Sequence, residues 1–507
     1  MKNLANNNFM KKNILFLILI FGVSATTALA QSRHFSAQSL GMGGGGTAYM
    51  DGYHANFINP ANLMLDIHRP KTTIGFAHVG ARAGGSLANI AVYNKYLTTG
   101  QLIAGDTRTN MLNDWFGESS FNRRQMAATV SVAPLGISHR RSKQAFSLAS
   151  RVRVTEDFSI NKGMAELLTY GLDADKFSDP TPINFSSNTV AFAEISVGYA
   201  RHIMNLPNLL FAKDIKLFAG IAPKYLYGIY TADMDFNSTL QMTRGNQSSP
   251  FTINHQFSYT LQTIGELSQQ LQAYEVAYND DPDAAFKDYV DYEGEDVGEA
   301  QATGFGVDMG ATLEMDVSSL PVPLFMNANK TLRLSMSITD LGSLSYDQSA
   351  SNSYADGEFT YEGAQNEDSF GDFFDNLSDS LQNDVYGNFD SEEIDAVKYN
   401  LPSMYNFGAS LAMNKLLVAL DYGVGFNNNG INSKRSVLTL GAQYRFFGFI
   451  PLRAGTKIGG YGSAAYSAGI GLDFNFLEFT VGASTVANSA NNGSSAGVAW
   501  SGLVLRF

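Results

Sequence analysis

The sequence predicts an all-β protein: a 14-stranded antiparallel transmembrane β-barrel with an N-terminal hatch segment in its lumen and long, partly helical extracellular loops. Three observations predict it. An export signal opens the chain, and period-two alternation runs through its C-terminal half. The composition is rich in glycine and aromatics, with 48 Gly, 35 Phe and 24 Tyr in 507 residues and only 16% charged.

Lys2, Lys11 and Lys12 precede an apolar run from Ile14 to Val23 and the small residues Ala28 to Ala30. This is the pattern of a secretory signal peptide over residues 1–30, cut before Gln31. The run is shorter than the roughly 20 residues of a membrane helix. There is no cysteine, hence no disulfide and no thiol for a lipid anchor, which suits a bacterial envelope. No later stretch is apolar enough for a spanning helix, so any membrane crossing must be made by strands closed into a barrel. A net charge of -13 and a pI near 5.0 exclude a nucleic-acid partner, which needs a basic footprint.

Residues 31–70 show little strand periodicity and are too apolar in places to lie in solvent, so they are expected to fill the lumen as a hatch. They contain "GMGGGG", in which Gly41, Gly43 and Gly46 satisfy G-x-G-x-x-G and Asp66 lies near the position of the ribose-binding acid. No strand leads into these glycines and no lysine follows them, so a nucleotide site is not expected. Gly41, Gly43, Gly44, Gly45 and Gly46 instead offer backbone without side chains, able to turn tightly in a crowded barrel on the way to Asn59, Pro60 and Ala61.

Residues 71–507 form the barrel. In "SVLTLGAQYRF", Leu438, Leu440, Ala442, Tyr444 and Phe446 oppose Thr439, Gln443 and Arg445; "GFGVDMGATLEM", "LRLSMSIT", "LVALDYGV" and "AYSAGIGLDF" repeat the split. A β-sandwich alternates too, but in an exported chain this many such strands favour a barrel with its apolar face outward. Inward projection places Arg151, Arg153, Glu194, Lys224, Asp308, Glu314, Arg333, Asp421, Arg435, Arg445 and Asp473 in the lumen, where mixed charge must be wet or paired. The strand count is even if residues 71–97 are one bent strand broken near "GARAGG".

Short and long connections alternate along the chain, which puts insertions at about 98–124, 157–187, 232–302 and 346–397 outside the cell. Leu261, Ile264, Leu267, Leu271, Tyr274 and Tyr278 follow helical spacing, as do Phe370, Phe373, Phe374, Leu377 and Leu381. The acidic run after Asn279 raises calcium binding by Asp280, Asp281 and Asp283, but no twelve-residue loop with regular ligand spacing is present, so a solvated acidic surface is expected and no metal. Loops this long imply a cap or docking surface. The final residues "WSGLVLRF" place Gly502, Leu505 and Phe507 in the slots of the terminal signal for outer-membrane assembly, with Leu505 where an aromatic is usual.

The stretch "LGMGGGGTAYMDGYHANFINPANL" resembles the N-terminal signature of the long-chain fatty-acid outer-membrane transporter superfamily, with Asn59, Pro60 and Ala61 as its Asn-Pro-Ala. "GIAPKYLYG", "GFGVDMGATLE" and "LSMSITDLGSLSY" are similar to strand motifs of that superfamily's type IX secretion-associated branch. Related barrels of unknown function belong to the same superfamily. The resemblance implies a 14-stranded outer-membrane barrel with an internal hatch.

An enzyme is not expected. The seven histidines are scattered, and H-E-x-x-H and G-x-S-x-G are missing. No cofactor is expected. Passive transport of small hydrophobic compounds needs a route sideways through the wall, for which Pro134 and Pro223 are candidate defects because proline removes a ladder donor. The polar lumen and large caps favour instead a partner-binding subunit of a secretion or assembly machine. It would sit among outer-membrane lipid and meet proteins at its extracellular or lateral surface.

Overall fold

The computed structural model describes residues 36–507 except 69, 210, 247–248, 282–283, 285–287, 291–300, 323–324, 326, 363–385, 427–433, 435, 460–463 and 487–492. The strands are β1 (Thr72–Gly85), β2 (Arg123–Arg140), β3 (Gln144–Asn161), β4 (Thr181–Leu206), β5 (Lys213–Asn246), β6 (Ser249–Thr263), β7 (Ala302–Asp316), β8 (Lys330–Tyr346), β9 (Ala350–Glu362) and β10 (Tyr386–Ile394). They continue with β11 (Val397–Asn400), β12 (Met404–Met413), β13 (Leu416–Gly425), β14 (Val437–Phe446), β15 (Ile450–Gly459), β16 (Ala465–Asp473), β17 (Leu477–Val486), β18 (Ser494–Trp500) and β19 (Leu503–Arg506).

β1 to β5, β7, β8 and β12 to β17 each cross the wall once, and β18 with β19 makes the last crossing, interrupted at Ser501 and Gly502. The result is a closed antiparallel barrel of 14 strands. Closure is direct: Ile74 pairs with Leu505 on one side and with Ile137 on the other. The count rests on β1 ending at Gly85. The expected bent strand to residue 97 does not form, because Gly85 has φ 156° and Asn89 caps a helical stretch over 90–97 with its side chain.

Alternation sets the two faces. Phe407, Leu420, Tyr422, Leu438, Leu440, Leu452, Ile470 and Trp500 are exposed on the outer face, while Asn406, Ser410, Asp421, Thr439, Gln443 and Arg453 are buried on the inner one. An apolar exterior over a polar interior is the inverse of a soluble core and fits a wall that faces lipid. At the short-turn end Tyr444, Phe446, Phe447, Phe449, Phe474 and Phe476 touch in sequence, an aromatic row of the kind found at membrane interfaces. Among the described residues no helix is long and apolar enough to span a membrane.

The long-loop end is more strand than the sequence suggested. β5 runs on to Asn246 and pairs there with β6, which pairs with β9, which pairs with β10. Alternation is present there, with Phe236, Leu240 and Met242 on one face and Asp235, Asn237 and Gln241 on the other, but polar residues hid it. The helical spacing expected from Leu261 begins later, because Leu261 belongs to β6 and the helix covers Gly265–Asp280. Shorter helices lie at Asp106–Phe116 and Lys162–Tyr170; the second starts where the Asn161 side chain accepts from Met164 N–H. The helix expected around Phe370 and the signal peptide lie outside the described residues.

Candidate functional site

Residues 36–65 lie against the inner wall and are almost wholly buried. Ser36 caps a short helix, Ala37–Gly41, by accepting from Ser39 N–H at 3.0 Å. Asn59 caps the 3-10 turn Pro60–Met64, accepting from Ala61 N–H at 3.2 Å, with Pro60 at the position that needs no donor. The Asn59 amide also donates to Thr47 O at 2.9 Å and Thr312 Oγ1 at 3.0 Å, and the Asn62 amide to Thr47 O at 3.0 Å. These polar groups are therefore satisfied without water.

The wall meets this segment with a belt of glycines. A Cβ at Gly75 or Gly136, which pair across β1 and β2, would overlap the Tyr53 ring. Further round, Gly198 faces Asn56, Gly220 faces Pro60 and Ala61, and Gly310 faces Asn59. Gly408 faces Thr47, Gly441 and Gly455 face Met42, Gly469 faces Gly41 and Gly482 faces Ala37. Strands without such a glycine offer polar groups: Ser147 donates to Asn56 Oδ1, Ser337 to Ile58 O at 2.6 Å, and Asp421 accepts from Thr47 N–H at 2.8 Å.

The first glycine run occupies the same layer. Gly41 sits within contact of Gly469, and Gly43 (φ 92°) of the Thr456 backbone. Gly45 faces Asp421, and Gly46 (φ 155°) faces Met50 and Ile58. Gly44 (φ 92°) has open space beside it but a backbone that L-residues rarely adopt.

On the long-loop side of this layer lies a six-charge cluster. Arg151 pairs with Glu194; Arg153 pairs with Asp340 at 2.9 Å and Glu194 at 3.1 Å; Lys224 reaches Asp340 at 2.6 Å, Asp308 at 2.7 Å and Glu194 at 3.4 Å. Three cations meet three carboxylates, and all six side chains are buried. Phe57 of the N-terminal segment lies under Arg151 (4.2 Å) and Lys224 (5.6 Å), a cation–π floor to the cluster.

Asp340 was not expected here. Arg333, Ser335, Ser337 and Thr339 face inward, so strict alternation turns residue 340 outward. The backbone instead takes φ 57° at Asp340 and 152° at Gly342, and the β7 register slips between Val307 and Met309. That bulge aims Asp340 inward. An acid followed by glycine in an otherwise apolar outward row, "ITDLG", was the available signal.

Of the other expected lumen charges, Glu314 and Arg333 pair with each other at 2.8 Å, apart from the cluster. Arg445 pairs with Asp473 at 2.5 Å at the short-turn end, where Arg506 also reaches Asp473 at 3.0 Å and pairs with Glu478. Arg435 lies outside the described residues. Buried Lys330, Arg453, Glu478 and Arg506 were missed, the last two because they flank turns or strand ends where periodicity is short. His68, Asp473 and Glu478 are close enough to hold a metal, but both carboxylates are already taken by arginines. Asp280 and Asp281 are exposed at the end of the long helix and outside that group; Asp283 lies outside the described residues.

Among the described residues the ladder of the wall is also interrupted between the first and last crossings. β1 pairs with β18 down to Val79–Trp500 and with β19 from Phe76–Leu503, leaving Ala77 and His78 opposite Ser501 and Gly502. Ala77 (φ 53°) and Gly502 (φ 62°) both adopt left-handed backbone there. On the other side of β1, β2 slips register against β3 between Val132 and Gly136, around Pro134. Three neighbouring strands thus lose regularity at one level. Behind the break stand Tyr53 and His54, with the His54 and His78 rings 4.9 Å apart. Pro223, by contrast, keeps its register with Val307. Leu505 lies below the break in β19, and Phe507 is exposed at its foot.

The model of the Family of unknown function (DUF5723) matches residues 85–484. The chain belongs to that family. No curated protein matches this DUF5723 chain. Among solved structures it is similar to the toluene transporter TodX of P. putida, at 11% identity and TM-score 0.48, over 94% of this chain and 99% of that one. It is also similar to the toluene transporter TbuX of Ralstonia pickettii (11%, TM-score 0.41, 94% and 99%) and a Pseudomonas aeruginosa FadL homologue (12%, TM-score 0.40, 94% and 99%). These comparisons lend no support to the secretion-associated branch. Such low identities leave function to be argued from this chain's own geometry.

Proposed function

We propose that this DUF5723 barrel resides in the outer membrane and passively admits small, uncharged hydrophobic compounds, which leave the lumen sideways through the break between β19, β1 and β2. The observation that carries this is the coincidence of Ala77, Pro134 and Gly502 at one level of the wall. In hydrocarbon a strand gives up ladder bonds only where other groups satisfy its backbone. Here Thr480 N–H turns to Ser501 Oγ at 2.8 Å and Ser501 N–H to Thr480 O at 2.9 Å, so the last strand tolerates its interruption. A hydrophobic solute crossing at this point stays out of water, which is worth about 25 cal/mol for each Å² kept dry.

The charged lumen was the sequence-level objection to a greasy route. Its six central charges, three cations against three carboxylates, neutralise one another and are spent on structure, so they add no net charge to the lumen. No observation in the described residues bears on the partner-binding role expected from the sequence. The test is uptake of a radiolabelled monoaromatic hydrocarbon by cells with and without the protein. Faster uptake supports the proposal, and equal rates with a stoichiometric protein partner in mild-detergent extracts would replace it.

A further inference from the structure

We infer that the short-turn rim at the foot of β1 to β4 is a binding surface for anionic phospholipid headgroups, which it draws to this one sector of the wall. The inference rests on residence in the outer membrane and not on transport.

Main chain gathers the cations there. Arg140 N–H donates to Lys71 O at 2.8 Å, Arg141 N–H to Gln144 O at 2.8 Å and His202 N–H to Lys143 O at 3.0 Å, while Gln144 pairs with Arg201 across β3 and β4. Lys71, Arg141, Lys143 and Arg201 are thus neighbours on adjacent strands, and all are exposed. Asp66 is already engaged by Arg140 at 2.6 Å, and Asp214 by Lys216 at 2.6 Å. Among the described residues no ion pair forms at Lys71, Arg141, Lys143 or Arg201. Unpaired positive charge gathered on one rim, in a chain of net charge -13, calls for an anion.

The surroundings say which anion. Phe76, Ile137, Phe146, Leu148 and Val197 are exposed on the lipid-facing side of the same strands. Phe146 pairs there with Tyr199, rings 5.2 Å apart, and Gln144 with Arg201 is the next pair on that face. A strand rises about 3.3 Å per residue, so Arg201 stands about 7 Å beyond the aromatic pair, within the depth of one headgroup layer. Past it Ile203, Leu209 and Phe211 are exposed on β4 and the turn that follows, apolar surface suited to an acyl chain and not to a soluble anion. Arginine can hold a phosphate through two parallel N–H groups, and lysine adds a point charge. Across the barrel the rim is built differently, since Arg445 and Arg506 are both paired with Asp473 and aromatics meet the interface.

The test places the purified full-length barrel in micelles doped equally with phosphatidylglycerol and phosphatidylethanolamine, and native mass spectrometry counts the lipid that stays bound. The parent should retain phosphatidylglycerol about fivefold or more over phosphatidylethanolamine at low salt. The preference should shrink to about twofold or less when ionic strength is raised to about 0.5 M. Lys71→Gln, Arg141→Gln, Lys143→Gln and Arg201→Gln together should abolish it, whereas Lys415→Gln at another turn should leave it intact. Arg141→Gln with Lys143→Gln alters one turn only and should remove part of the preference, which keeps the test open if the fourfold variant does not fold. Equal retention of the two lipids by the parent, or an undiminished preference in the folded fourfold variant, overturns the inference. So does displacement of the lipid by inorganic phosphate at matched ionic strength, which would leave a simple anion site, or an acidic protein that copurifies with the parent and is lost from the variant. A barrel that does not enter phospholipid vesicles at all would instead remove the outer-membrane residence on which the inference rests.

Discussion

On the long-loop side of the N-terminal segment the lumen between β3 and β8 is filled by side chains that carry charge, whereas at the level of that segment, most tightly on β14 to β17, main chain lies on glycine. Both sectors solve the problem of a wide barrel whose inside must not be empty. The charged sector relies on compensation: Arg151, Arg153 and Lys224 are tolerable because Glu194, Asp308 and Asp340 are within reach. The glycine sector relies on proximity: Gly41, Met42 and Gly43 approach the wall only because Gly441, Gly455 and Gly469 have no side chain. The first arrangement is sensitive to charge and the second to volume.

That difference can be broken first where the effect is largest. Lys224→Met leaves three carboxylates facing two arginines in a dry site, at a cost of about 3–5 kcal/mol. Thermal unfolding in detergent, read from the shift of the folded band, should show it, and adding Asp308→Asn should recover part of the loss. A double variant no more stable than the single one would contradict charge compensation. Gly441→Ala is isoelectric and should cost less, about 1–3 kcal/mol, because a methyl is forced onto the Met42 carbonyl. An unchanged unfolding temperature would remove the glycine belt from the account.

A third effect, confined to acid pH, lies outside both sectors, on β6. Burial lowers the His255 pKa from 6.5 to about 4, beside Phe236 and Phe257 and with Ser238 Oγ 2.5 Å from its Nε2. The unfolded chain therefore binds this proton more readily than the folded one, so stability should fall as pH drops from 6.5 to about 4 and level off below. His255→Phe should flatten that part of the pH profile; a profile identical to the parent's would show that His255 does not set it.

Much of the barrel was legible because period-two alternation is strong wherever one face meets lipid and the other a polar lumen, as in "LRLSMSIT" and "SVLTLGAQYRF". It failed at bulges and beyond the membrane. Asp340 was invisible to alternation because the bulge that turns it inward costs the sequence only one acid and one glycine. The strands of the long-loop end carry the same alternation but are studded with Asn, Ser and Thr, so polar content concealed it. The glycine belt was present in the sequence as single glycines on many strands, yet only register shows that they share a level with the N-terminal segment. Pro134 was a visible clue to the wall, but Ala77 and Ser501 have no local signature at all.

The account turns on the break in the wall. In the cysteine-free chain, His78→Cys with Ser501→Cys places two thiols opposite each other across it, and a short bifunctional reagent can close it while single-cysteine variants serve as controls. Hydrocarbon uptake should stop when the break is bridged and continue in the single-cysteine controls. Undiminished uptake through a bridged break would contradict the lateral route.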